Sequence, residues 1–141
     1  HFAAHPEERG AMTLICGFKT PQDILFRDDL ARWQQSLNVI LTVDRANGDA
    51  SVREGLVTQY IPELVLNDAA NTAAIVAGPP IMMRSVQGLL DIGLPEENIW
   101  ISHERKMCCG LGKCGHCRIN STYVCLDGPV FNYSQGKQLI D

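Results

Sequence analysis

Ala73-Ala74-Ile75-Val76-Ala77-Gly78-Pro79-Pro80-Ile81-Met82-Met83 is the stretch that decides how this chain folds. Its first five residues are small or β-branched and apolar without alternation, which reads as a buried strand. Gly78-Pro79-Pro80 ends that strand, and because proline suits the first turn of a helix, it leads directly into one from about Ile81 to Ile92, stopped at Gly93. Asn98-Ile99-Trp100-Ile101-Ser102 then reads as the next strand. Strand, helix and strand joined by tight junctions make a crossover unit, and a crossover unit makes the strands parallel.

Upstream, the same alternation continues. Met12 to Cys16 is an apolar run ending at Gly17, and reads as a strand. Thr20-Pro21-Gln22-Asp23 has a capping hydroxyl, a proline at the first helical position and an acid at the positive end of the dipole, so it starts a helix. Leu25 or Phe26, Leu30 and Trp33 recur at helical spacing, which carries the helix to about Gln34. Asn38 to Val43 reads as a strand, followed by a polar loop through Asp44, Gly48 and Asp49, and Leu56 to Leu66 as a short helix weakened by Pro62. The predicted class is α/β, a parallel sheet with right-handed crossovers. From about Glu104 cysteine and glycine dominate and the periodicity disappears, so the expected division is residues 1–103 for the sheet and 104–141 for a cysteine-rich segment.

Composition bounds what such a chain does. With 45% hydrophobic and 20% charged residues over 141 positions, it lies outside the disordered class. A net charge of −4 and a pI near 5.5 argue against a nucleic-acid partner, since no broad basic surface is available to neutralise phosphates. The longest apolar stretch, Ala73 to Met83, is broken at Gly78 and is too short to span a bilayer, so no membrane insertion is expected. Of the six cysteines, Cys108, Cys109, Cys114, Cys117 and Cys125 fall close together. That grouping is not a disulfide framework spread over a domain. It points to metal in a reducing, cytoplasmic compartment.

Cys109, Cys114, Cys117 and Cys125 give the spacing C-x4-C-x2-C-x7-C. The first three match the plant-type [2Fe–2S] pattern, with the fourth ligand returning from a separate strand that ends Tyr123-Val124-Cys125. Two short loops wrap a small rhombic core only if the backbone takes unusual dihedrals, and Gly110, Gly112 and Gly115 permit them. Arg105, Lys106, Lys113 and Arg118 cluster in the same segment. They either raise the potential of a negatively charged cluster or form a docking face for an acidic partner. A structural zinc site in a non-catalytic interaction module is the alternative, because four thiolates also suit tetrahedral zinc, although zinc sites more often use two separated C-x2-C knuckles. Cys108 reads as a spare thiol, Cys16 as a core residue, and His116 as a residue beside the ligands rather than one of them.

Ligands of open parallel sheets bind at the carboxyl ends of strands. Here those ends carry Gly78, Pro79, Pro80 and Met82 after one strand, Gly17, Lys19 and Thr20 after another, and Asp44 after a third. Each signal alone is weak, since a strand–Gly-Pro–helix junction is ordinarily a turn and Met82 ordinarily core. Lys19 is placed to meet a 2′-phosphate, yet a lone lysine after a strand is ordinarily only solvated, so NADH and NADPH are not separated.

Gly78-Pro79-Pro80-Ile81-Met82-Met83, Glu104-Arg105-Lys106-Met107 and the run Cys109 to Cys117 together resemble the C-terminal half of ferredoxin–NADP reductase-type electron-transfer subunits. Tyr123-Val124-Cys125-Leu126-Asp127-Gly128-Pro129-Val130-Phe131-Asn132-Tyr133 resembles the B-subunit family of anaerobic sulfite reductases, and the gamma subunits of sulfhydrogenases share most of the cysteine motif. The resemblance implies a partial Rossmann-like nucleotide domain followed by a [2Fe–2S] segment, after an N-terminal FAD-binding barrel. This sequence does not contain that barrel, nor the central strand of a 3-2-1-4-5 sheet. A partial sequence that by itself binds FAD and pyrophosphate poorly is therefore expected. The implied activity is transfer of electrons from NAD(P)H through FAD and a [2Fe–2S] cluster to iron–sulfur and sirohaem subunits that reduce sulfite. A sulfhydrogenase or sulfur reductase is the alternative destination.

Overall fold

The computed structural model describes residues 1–139, and it divides them into two compact units that part between Tyr60 and Ile61. In the first unit, β1 (Thr13–Phe18) pairs parallel with β2 (Asn38–Val43), Thr13 opposite Asn38 and Phe18 opposite Val43. The short β3 (Arg53–Glu54) extends this sheet, again parallel. Its core is Ile24, Leu30, Val43 and Val52, with Leu30 supplied by α1 (Arg27–Trp33). The long helix expected from Thr20 to Gln34 is broken. Thr20 donates both its N–H and its hydroxyl to the Asp23 carboxylate, at 3.0 and 2.7 Å, which closes a single 3₁₀ turn over Pro21–Asp23. Phe26 then takes a left-handed φ of 53° before α1 begins. Helical spacing was present, but a tight local cap and one left-handed residue divide the segment.

In the second unit, β4 (Ala74–Ala77) pairs parallel with β5 (Ile99–Ser102), and α2 (Arg84–Asp91) is the crossover between them. A 3₁₀ turn over Pro80–Met83 precedes α2, and Gly93 follows it with φ 92°. β6 (Arg118–Ile119) and β7 (Thr122–Tyr123) form a hairpin, α3 (Val124–Asp127) follows directly, and β8 (Val130–Asn132) returns antiparallel to β5. α4 (Tyr133–Gly136) closes the unit. Val76, Val86, Leu89, Ile99, Ile101, Ile119, Val124 and Phe131 make one core, so the tail beyond Glu104 is built onto the same apolar centre as β4 and β5.

The α/β class, the parallel pairs and the trailing cysteine-rich segment are as the alternation predicts. The strands form separate sheets ordered β1-β2-β3 and β4-β5-β8, in keeping with the absence of the central strand of a 3-2-1-4-5 order. Two details differ. β4 is buried on a single face, Val76 being 6% exposed and Ile75 73%. The helix expected over Leu56–Leu66 is two 3₁₀ turns, Val57–Gln59 and Ile61–Glu63, as Pro62 cannot donate within a longer helix. Among the described residues no helix is long and apolar enough to cross a membrane.

Candidate metal centre and strand ends

Between β5 and β6 the chain has no regular element, and its path is set by Gly110, Gly112 and Gly115, all with positive φ (66°, 67° and 78°). At Gly112 the requirement is twofold, because a Cβ there would also lie 2.4 Å from Leu126 Cδ1. The consequence is that backbone N–H groups turn inward on the sulfurs. The Leu111 N–H donates to Cys109 Sγ at 3.4 Å. With further N–H groups from Cys114 and Lys113, it holds the Cys109 thiol below its ordinary pKa. The His116 N–H, then the Cys109 thiol, do the same for Cys114. Donors aimed at a sulfur favour the thiolate, which is the form that binds metal.

Cys117 comes from the start of the β6–β7 hairpin and is 2% exposed, packed among Ile119 and Val124. Cys125 lies on α3, not at the end of a strand as expected. The one-turn helix forms because Tyr123 donates its N–H to Asp127 Oδ2 at 2.8 Å and Gly128 bonds back to the Val124 carbonyl at 3.1 Å. The Cys117 thiol, with burial behind it, pushes the Cys125 pKa up, while the Gly112 N–H opposes the shift. The four thiols are thus brought together as two contacting pairs, Cys109 with Cys114 and Cys117 with Cys125, and Cys125 also feels the charge of Cys109. Cys108 is exposed and outside this network, and burial alone raises the Cys16 thiol in the first unit.

The donor set fits a thiolate-bound metal group. Tetrahedral zinc with Zn–S bonds of about 2.3 Å places its sulfurs about 3.8 Å apart. Among the described residues, no three cysteine sulfurs lie within 4.8 Å of one another. As they stand, the thiols are gathered in pairs.

The other site residues of the sequence reading fall at strand ends, in both units. In the first unit, Gly17 lies within β1, where a Cβ would meet Val57 Cγ2 at 2.8 Å, so its bare face is covered by the chain itself. Lys19 is exposed, Thr20 is engaged with Asp23, and Asp44 is exposed past β2 with its N–H on the Phe18 carbonyl at 3.2 Å. In the second unit, Gly78 has φ 147°, and Met82 Cγ would lie 2.7 Å from a Cβ there. Met82 therefore packs over Gly78 and against the core, while Pro79 caps the 3₁₀ turn that Pro80 opens. Sequence reading missed Leu126 and Asp127 as parts of the site. Only the folding of α3 brings them to the loop, although Asp127 four residues after Tyr123 is a signal in hindsight.

A parallel-stranded α/β fold with glycines and a threonine at its strand ends, followed by a loop that turns four thiols together, defines a redox protein of the ferredoxin-reductase fold class. Residues 1–88 match the family described as "Oxidoreductase NAD-binding domain", and residues 104–136 match "Iron-sulfur cluster binding domain of dihydroorotate dehydrogenase B". The chain belongs to the oxidoreductase NAD-binding domain family. It is 36% identical over 134 residues to sulfhydrogenase 1 subunit gamma of Pyrococcus furiosus, covering 88% of this chain and 45% of that protein. To a probable dihydroorotate dehydrogenase B (NAD(+)) electron transfer subunit of the same organism it is 33% identical over 128 residues, 91% and 46% of the two chains. Among solved structures, one described as an NADH-dependent reduced ferredoxin-NADP oxidoreductase, in a study of flavin-based electron bifurcation, is 27% identical. It aligns with a TM-score of 0.64 over 98% of this chain and 51% of its own. The chain spans about half the length of the curated relatives it matches.

Proposed function

We propose that this chain is the nicotinamide and iron–sulfur part of an electron-transfer subunit, working in the cytoplasm. Cys109, Cys114, Cys117 and Cys125 would hold a [2Fe–2S] cluster. The observation that carries this reading is the loop whose three left-handed glycines turn the four thiols together, in the stretch 104–136 that matches an iron–sulfur cluster binding domain. When bound, FAD supplies hydride acceptance from NAD(P)H and the cluster supplies one-electron transfer. The chain's own residues do the rest. Backbone N–H groups of Leu111, Lys113 and Cys114 stabilise negative charge at Cys109, that of His116 does so at Cys114, and Cys117 anchors the loop in the core. Residues 104–136 would form the cluster-binding segment and the residues before them the nucleotide part, with Gly17, Lys19, Thr20 and Asp44 in the first unit, and Gly78, Pro79, Pro80 and Met82 in the second, as the candidate nucleotide contacts of each.

Two assemblies are candidates for its partner. Identity to sulfhydrogenase gamma subunits favours a hydrogenase or sulfur-reductase complex. The Val124-to-Pro129 tail favours a sulfite-reducing complex with iron–sulfur and sirohaem subunits. Metal, sulfide and spectroscopic analysis of anaerobically purified protein tests the cluster. The expected result is a brown protein with two irons and two sulfides, an EPR signal on reduction that is lost in Cys114→Ser, and retention of iron in Cys108→Ala. A colourless protein with one zinc per chain overturns the reading. Sirohaem absorption in a co-purifying partner, as against nickel, selects the assembly.

A further inference from the structure

We propose that the rim of the cysteine loop is a docking surface for an acidic redox protein, with Leu111, Leu126 and Met107 as its apolar centre and Lys106 and Lys113 as its charged edge. This rests on the reading of the four cysteines as an electron-carrying site, and names the partner of that site.

Three observations converge. The site is graded in exposure, from Cys117 in the core, through the half-buried Cys109 and Cys125, to the exposed Cys114. In that reading the four cysteines would take every metal position, no place would be left for a small substrate, and electrons would leave to whatever protein covers the exposed end. That end is apolar: Leu111 is 64% exposed and Leu126 60%, and Leu126 is seated against Gly112, which joins α3 to the loop. Single exposed leucines are ordinary, but Leu111 and Leu126, joined through Gly112, make a patch of the kind partners cover, and Met107 of the same segment is exposed as well. The edge is basic: residues 104–118 carry four cations against one anion in a chain of net charge −4. Lys106 and Lys113 are exposed and, among the described residues, in no ion pair. Positive charge at the edge of an apolar patch speeds and orients the approach of an acidic protein.

The test is binding, measured by calorimetry on the metal-loaded subunit, with iron analysed in every variant. The probes are an acidic plant-type ferredoxin, a basic cytochrome c and phosphatidylserine vesicles. Ferredoxin is expected to bind, with Kd rising about fivefold or more from about 50 to about 200 mM salt. Lys106→Glu with Lys113→Glu is expected to raise Kd about tenfold, and Leu111→Ser severalfold. An unchanged Kd in the lysine pair, tighter binding to cytochrome c, or binding to vesicles alone overturns the docking surface. A zinc-containing protein that still binds ferredoxin through these lysines keeps the surface and removes the electron-carrier reading, whereas an iron-containing protein indifferent to ferredoxin does the reverse.

Discussion

Gly112 combines a left-handed φ of 67° with a neighbour, Leu126 Cδ1, that a Cβ would approach to 2.4 Å. Alanine there pays the left-handed penalty of about 1–2 kcal/mol and displaces Leu126 as well. Gly112→Ala is therefore expected to lower stability by at least about 1 kcal/mol and to reduce metal content. Gly10→Ala is the control, since nothing lies within 4 Å of its Cβ position and its φ is not left-handed. Thermal unfolding of the two variants checks the difference. The four candidate cysteines could be picked out of the sequence because metal chemistry fixes residue type and loop length together. The partner of Gly112 was not legible, because Leu126 reaches the loop only through a helix that fourteen residues of spacing do not announce.

α3, four residues long, carries Cys125 and is held at its start by the Tyr123 N–H on Asp127. Removing that acceptor leaves a donor without its partner, at a cost of about 1 kcal/mol. Asp127→Ala is expected to lower the Tm by a few degrees and to speed metal loss to a chelator, while Asp127→Asn, which keeps a carbonyl acceptor, lies between it and the wild type. Following metal release by absorbance shows the order. At this scale β1, β2, β4 and β5 were readable because runs such as Ile75-Val76 and Ile40-Leu41 are bounded by turn residues. β8 and α3 were not, being three and four residues long and set by pairing with β5 and by a local cap. Phe26 defeated the helix reading because periodicity carries no information on a single left-handed residue.

For the whole chain, each compact unit has its own apolar centre, and each carries an aspartate that ties a loop. Asp49 is held below the usual carboxylate range by the Ser51 hydroxyl and N–H, and Asp68 by the Asn71 amide and N–H. Both pKa values fall on folding, so the stability they contribute is present above the ordinary aspartate value of about 3.9 and is lost as pH falls through the folded values. Unfolding midpoints recorded down the acid limb should fall below that pH, and Asp68→Asn should flatten the fall. Equal slopes in the variant and wild type would show that other carboxylates dominate. Composition marked a change of chemistry near Glu104, whereas the compact units part between Tyr60 and Ile61. No shift in composition marks that point, which falls between the 3₁₀ turns Val57–Gln59 and Ile61–Glu63.

The gradient from Cys114 at the surface to Cys117 in the core would also make the cysteines a built-in timer for loss of the metal group proposed for them. As protection fails, an alkylating reagent meets Cys108 and Cys114 first, the half-covered Cys109 and Cys125 next, and Cys117 only when the packing around Ile119 and Val124 opens. The mass of the labelled peptide thus separates a molecule that has merely been emptied from one that has come apart.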